Sequence, residues 1–387
     1  MKTELSALAL PVLLSFFFLT GCGGSDPDSA NSSNRRQISE AEIELRSKWK
    51  QRQVRDRHHN KEVAGEILKL AFADDIETLE SRYQQYRSEG GHTESGDRKL
   101  VAFYSVFGQY SDWNQVDPER YYGDLETMLK KWIETYPESP GPIVALAALY
   151  TNWAWHWRSA KWASEVNNKQ WEGFRDSLDK ASDVLTTYEE VGKEDGQFHR
   201  IKLKVGLGQS WPHEKMQATF DSSQEIVPDY WGSYYAVCYF LLPRWYGENE
   251  SDWHDWLVNE LGNASEKVDS TRLDEIYAQV CVALHNVAYN GRDEPRMTEV
   301  IDIDWERLKR GANSWMTRFP QASRLPSRYL LTAMYAGDFP EAKKIVESMN
   351  FEYDGWEWWG KDDPQFFGIL EFLQNWTEES DQGENPE

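Results

Sequence analysis

The sequence predicts an all-α fold of antiparallel helix pairs, stacked as a degenerate α-solenoid or a compact helical bundle. Three observations lead there. Apolar residues recur three and four positions apart along most of the chain, which is the repeat of one buried helix face. Short breaks rich in Pro and Gly separate these segments, so neighbouring helices turn back on one another. No stretch alternates apolar and polar residues between hairpin turns, as a strand would.

Ser39-x-x-Glu42 is a capping box that opens the first helix. Asp74 and Asp75 can cap another, which ends near Gly90-Gly91. From Arg98 to Tyr110, Leu100, Phe103, Tyr104 and Phe107 make one apolar face. From Tyr121 to Tyr136, Leu125, Met128, Leu129, Trp132 and Ile133 make the next. Pro137-Glu-Ser-Pro-Gly-Pro142 breaks the chain, and a helix starting near Pro142 carries Ala145 and Ala148, small enough for close helix approach. Further helices are expected over Lys169–Val191, Gln197–Gly208, His213–Val227, Tyr230–Leu242, Asp252–Leu261, Thr271–Ala288, Trp305–Phe319, Ser327–Ala336, Pro340–Met349 and Pro364–Trp376.

Two resemblances refine this reading. Leu330-Leu-Thr-Ala333-Met-Tyr335-Ala-Gly337-Asp338-Phe339-Pro-Glu-Ala342 resembles the inter-helix turn of a tetratricopeptide repeat, in which small residues sit at the helix crossing and Gly-Asp-aromatic makes the turn. No strict period runs through the chain, so the expected repeat is degenerate. The segments Tyr136-Pro137-Glu-Ser139, Asn152-Trp-Ala-Trp155-His-Trp-Arg158, Trp171-Glu-Gly-Phe174 and Leu241-Leu-Pro-Arg-Trp-Tyr-Gly247 are similar to an uncharacterised bacterial family, domain of unknown function 4034. That likeness covers residues 125–261. It implies a tetratricopeptide-like fold and brings no activity, ligand or catalytic residue with it.

The N-terminus gives an address. Lys2 precedes an apolar stretch from Leu5 to Leu19, interrupted by Pro11, that is shorter than the about 20 residues a membrane span needs. It reads as a signal peptide over residues 1–21. Leu19-Thr20-Gly21-Cys22 resembles the bacterial lipobox, which implies cleavage before Cys22, diacylation of its sulfur and acylation of the new amino group. Two or more acyl chains anchor a protein stably. Gly23 stands where inner-membrane retention typically uses Asp, so the resemblance favours the outer membrane facing the periplasm, with the cell surface as the alternative. Residues 22–39 are a polar tether, 40–376 the helical domain, and 377–387 an acidic disordered tail.

The net charge of −23 repels phosphate backbones and argues against a nucleic-acid partner. From Arg46 to Lys61, seven bases stand against one acid, Asp56. This segment either meets anionic headgroups near the anchor or is a solvated helix face docked on the acidic body. Cys238 and Cys281 both lie in apolar runs. They are either buried free thiols or a disulfide, which would contribute about 3–4 kcal/mol.

No phosphate loop, dinucleotide fingerprint, zinc His pair or serine elbow occurs. His58-His59 with Glu62 reads as a solvated polar face, because adjacent histidines point to different sides of a helix. The expectation is a chain with no cofactor, metal or enzymatic activity. Aromatic clusters are the feature with a functional edge. Trp153 and Trp157 share one face, and Trp155, Arg158 and Trp162 another. Arg244, Trp245 and Tyr246 form a turn, and Trp356, Trp358 and Trp359 a loop, both candidate ligand-binding groups. These read as a scaffold for a protein partner, as a glycan or peptidoglycan surface, or as a Trp-rich core joining helix pairs. An unrecognised hydrolase would need a His and a carboxylate converging in a cleft.

Mass spectrometry of the mature protein is expected to find a diacylglyceryl thioether on Cys22. An unmodified thiol there, or an uncut leader, refutes the envelope assignment.

Overall fold

A computed structural model of the chain describes residues 40–52, 55–107, 117–159, 163–288, 297–322, 324–349, 352–354 and 364–376. The leader, Cys22, the tether, the Trp356–Trp359 cluster and the acidic tail lie outside them. Among the described residues the chain is almost entirely helical. No described helix is long and apolar enough to cross a membrane.

The N-terminal part contains α1 (Glu40–Lys48), β1 (Lys50–Arg52), α2 (Arg55–Phe72), α3 (Ile76–Glu89), α4 (Lys99–Ser105) and α5 (Pro118–Thr135). Next come α6 (Pro140–Arg158), α7 (Asn168–Thr187), the single turn α8 (Glu189–Gly192), α9 (Gly196–Gly208), α10 (His213–Ile226), α11 (Trp231–Phe240) and α12 (Asp252–Asn263). The C-terminal part has α13 (Ser270–Ala288), the single turn α14 (Met297–Val300), α15 (Trp305–Arg318), α16 (Arg324–Tyr335), α17 (Phe339–Ser348), β2 (Glu352–Asp354) and α18 (Pro364–Asn375). Local chemistry sets many starts. Asp75, Asp117, Asn167, Asp195, Asp304 and Asp338 each accept a backbone N–H of the first turn. Each cap satisfies a donor that the helix itself leaves unmet.

The helices pack in two layers. In the inner row α6, α9, α11, α13 and α16 each touch the next. In the outer row α7, α10, α12 and α15 each pack on the inner helix before them and on the one after, and α17 packs on α16 and α18. That is tetratricopeptide-like connectivity, as the sequence predicts. The inner helices α9, α11 and α13 begin at Gly196, Trp231 and Ser270, the first spacing close to the roughly 34 residues of a tetratricopeptide repeat and the second about a turn longer. Extra turns, α8 and α14, stretch the two flanking spacings and make the repeat degenerate. At the predicted hairpin, Gly337 adopts φ 74°, and Asp338 caps α17 while accepting the Trp305 indole N–H at 2.7 Å.

Closely packed helices require small residues. A Cβ on Gly311 of α15 would overlap the Asp274 carbonyl oxygen of α13. One on Gly208 of α9 would lie 2.6 Å from Leu178 of α7. The segment α3–α4 ties the N-terminal ends of the inner row together. Tyr104 and Tyr83 donate to the buried Asp195 carboxylate at 2.7 and 3.1 Å. Burial pushes this carboxyl up, against the pull of the two hydroxyls and the Gln197 N–H. Arg98 pairs with Asp229 at 2.5 Å, just before α11. Arg272 then bridges Asp229 to the fully buried Glu275 at 2.7 Å, which also accepts from Arg318 and Ser314.

One feature departs from the all-helical expectation. Segments β1 and β2 pair in parallel, from Lys50 with Glu352 to Arg52 with Asp354. Beside them α1 packs on α18, with Trp49 edge-on to Phe366 at 5.1 Å and Arg46 over Phe367. The part of the basic segment nearest the tether is thus docked on the last helix. Cys238 and Cys281 are both buried free thiols, and burial pushes both pKa values up.

The tight α13–α15 crossing makes a direct prediction. Gly311→Ala should destabilise the fold by about 1–3 kcal/mol, because rigid backbone must move. Gly123→Ala in α5, with open space around its Cβ position, should stabilise it by about 0.5–1 kcal/mol. Urea unfolding of the two variants measures both signs.

Candidate functional site

Each inner helix touches its neighbours in the row and its outer partners, and the described helices leave one stripe of it partly exposed. On α11 that stripe is Trp231, Tyr235 and Tyr239, four residues apart and half-buried, while Tyr234, Val237, Cys238 and Phe240 fill the core. On α9 it carries Arg200 and Lys204, also four apart, and on α6 Asn152 and Trp155. The turn after α11 adds Arg244 and Trp245, and Arg328 comes from α16.

Aromatic rings run through this face. Trp155 meets Phe174 at 5.2 Å and Trp245 at 6.0 Å, both edge-on. Trp245 meets Tyr239 at 6.0 Å, Tyr239 stacks on Tyr235 at 5.8 Å, and Tyr235 meets Trp231 at 5.8 Å. Arg244 lies over the Tyr239 ring at 5.1 Å. The indole N–H groups of Trp155 and Trp245 are buried and have no acceptor among the described residues.

The bases on this face are Lys204, Arg200, Arg244 and Arg328. The Lys204 ammonium donates to Asn152 Oδ1 at 2.6 Å, and no described carboxylate acts on it. Burial pushes its pKa down to about 7, and Arg200 adds to the depression. Burial raises the Tyr235 phenol to about 12, aided by Tyr239, while Arg328, Arg244 and Arg200 pull it down. Arg200 and Arg244 have no ion-pair partner among the described residues. In a chain of net charge −23, Lys204, Arg200 and Arg244 on one face, with no ion-pair partner among the described residues, stand against the overall field.

The candidate residues read from the sequence separate here. Arg244 and Trp245 join this face. Tyr246 holds the turn instead: its ring stacks on Phe240 at 4.7 Å, and its hydroxyl reaches Ser210 Oγ at 2.6 Å and the Leu207 carbonyl at 3.2 Å. A Cβ on Gly247 would overlap the Leu241 carbonyl, so this turn needs glycine. Trp155 joins the face, whereas Trp153 stacks flat on Tyr122 at 4.8 Å and Arg158 lies over Trp171. The side chains of His58, His59 and Glu62, like Trp162, Trp356, Trp358 and Trp359, lie outside the described residues. Lys204, Arg200, Tyr235 and Tyr239 had no motif to announce them, and Asn152 stood in a resembling segment that assigns it no role. The available signal was two bases one turn apart on an otherwise buried helix.

No group of three or more His, Cys, Asp or Glu suited to a metal occurs among the described residues. His199, His213, His254 and His285 bond to carbonyl or hydroxyl oxygens and not to carboxylates. The fold and face define a helical-repeat domain with a basic, aromatic inner surface. No protein-family model matches the chain, and no curated protein or solved structure matches it. Its function must therefore be read from these residues.

Holding Lys204 without an anion strains the folded state. Its pKa is depressed from 10.5 to about 7, so stability from this group is present above pH 10.5 and is lost as pH falls toward 7. Lys204→Met should raise stability at pH 7 by about 1–4 kcal/mol. That advantage should shrink as pH rises toward 10, measured by urea unfolding across the range.

Proposed function

We propose that this chain is a non-enzymatic, membrane-anchored binding module of the bacterial envelope, which captures an extended acidic stretch of a protein partner on its inner face. The observation that carries this reading is the run Trp155–Trp245–Tyr239–Tyr235 flanked by Lys204, Arg200, Arg244 and Arg328. Stacked helical hairpins offer an extended surface to a peptide. Aromatic rings supply contact area at low entropic cost, and Lys204, Arg200 and Arg244, which have no ion-pair partner among the described residues, select acidic partners and speed encounter.

The lipobox-like segment ending at Cys22 supports anchorage, and docking of α1 on α18 supports a tether leaving from the far end of the array. Half-buried indoles would also suit the apolar faces of sugar rings. An uncharged glycan or peptidoglycan fragment is therefore the second reading, favoured by the Trp155–Trp245 pair.

Titration of the full chain with an extended peptide alternating Glu and Leu, followed by Trp fluorescence, tests the first reading. The acidic peptide should bind, weaken with salt, and outbind its Gln counterpart by about tenfold or more. Arg200→Gln with Arg244→Gln should remove most of that preference. Equal binding of both peptides, or binding of neither, refutes it. Fluorescence changes with uncharged oligosaccharides alone would favour the glycan.

A further inference from the structure

We infer that Lys204, Asn152 and the indole N–H groups of Trp155 and Trp245 form a subsite for a single carboxylate group. This subsite lies within the face proposed above and deepens that reading by naming one chemical group of the ligand.

The Lys204 ammonium is held in place, not merely exposed. Asn152 donates its amide to the Ala148 carbonyl at 2.8 Å, which turns Oδ1 toward Lys204. One of the three ammonium hydrogens is used there, and the others have no partner among the described residues. A partly buried cation is ordinarily matched by an acid. This chain has 65 acidic residues, yet no described one acts on Lys204, while Arg200 repels it from one turn away.

Donors around it are also unmet. Asn152 and Trp155 sit one turn apart on α6, so the held ammonium and the Trp155 indole share one helix face. Trp245 meets that indole edge-on at 6.0 Å. Both indole N–H groups are buried without an acceptor among the described residues, which is destabilising until one arrives. A carboxylate offers two oxygens with several acceptor positions, enough to take an ammonium hydrogen and an indole hydrogen together. One ammonium among neutral donors balances one negative charge, which fits a carboxylate better than a phosphate dianion. Trp245 and Tyr239 then form an apolar wall for the body that carries the carboxylate.

The test follows Lys204 directly. Lysines of the full chain are labelled biosynthetically with ¹³C at Cε, which leaves the ammonium intact, and the Lys204 resonance is identified by its absence in Lys204→Met. The probes are N-acetyl-phenylalanine, its uncharged amide, and inorganic phosphate, all at equal ionic strength in chloride. N-acetyl-phenylalanine should raise the Lys204 midpoint by about one unit or more, because it binds only the charged form. The amide and phosphate should leave it unmoved. Trp245→Phe keeps an aromatic ring, though a smaller one, and removes the N–H, so it should weaken the N-acetyl-phenylalanine effect several-fold without moving the midpoint in chloride. An unmoved midpoint with N-acetyl-phenylalanine, or a larger rise with phosphate, overturns the subsite. Binding of the acidic peptide with Lys204 unperturbed also overturns it, while leaving the wider face standing. A midpoint raised by N-acetyl-phenylalanine in a chain that ignores the acidic peptide upholds the subsite and removes the peptide reading.

Discussion

The array depends on helices approaching until backbone meets backbone. At the α13–α15 crossing there is no room for even a methyl group between Gly311 and the Asp274 carbonyl. Gly208 of α9 is nearly as confined against Leu178 and Phe174 of α7. Interior packing is dense, so such contacts tolerate little relaxation. These approaches seat the outer helices on the inner row, and among the described residues the inner row keeps one stripe partly exposed. Where the candidate site can lie follows from that geometry.

Polar groups close the N-terminal ends of the same row. Asp195 caps α9 and accepts from Tyr83 and Tyr104, which reach it from α3 and α4. Glu275 is fully buried and takes Arg272, Arg318 and Ser314, while Arg272 also reaches Asp229. Each buried charge here has a partner, because an unpaired one would be strongly destabilising. Lys204 breaks that pattern on the open face. Two kinds of buried charge thus coexist in one row: those answered by an acid or a base of the chain, and Lys204, on which no described carboxylate acts. Sites that give up stability in the free protein are where binding can recover it.

Aromatic residues serve both ends of this division. Trp153 lies flat on Tyr122, and Trp132 and Trp253 are fully buried, so they act as filling between helix pairs. Trp155 and Trp245 share the residue type but differ in environment, with rings half-buried and N–H groups unmet. Residue type could not separate the two roles, and spacing showed only that Trp153 and Trp155 lie on different faces of α6. The separation comes from what lies opposite: Tyr122 of α5 for one, a turn and an open stripe for the other.

The sequence by itself determined the helices, most of their caps and the degenerate hairpin pattern. Those follow from local periodicity and from side chains reaching their own backbone, as Asp75 and Asp338 do. It also carried the Gly337-Asp338 turn, because a positive φ and a cap are demands made within a few residues. Only the tertiary structure decided what is joined across distance. The β1–β2 pair brings together three-residue segments from opposite ends of the chain, too short to show any alternation. The bond from Lys204 to Asn152 links two helices through packing that no spacing encodes. Whether a base finds an acid opposite it is likewise a property of the assembled face. Local rules therefore named the parts, and the lone ammonium became visible only once the parts were packed.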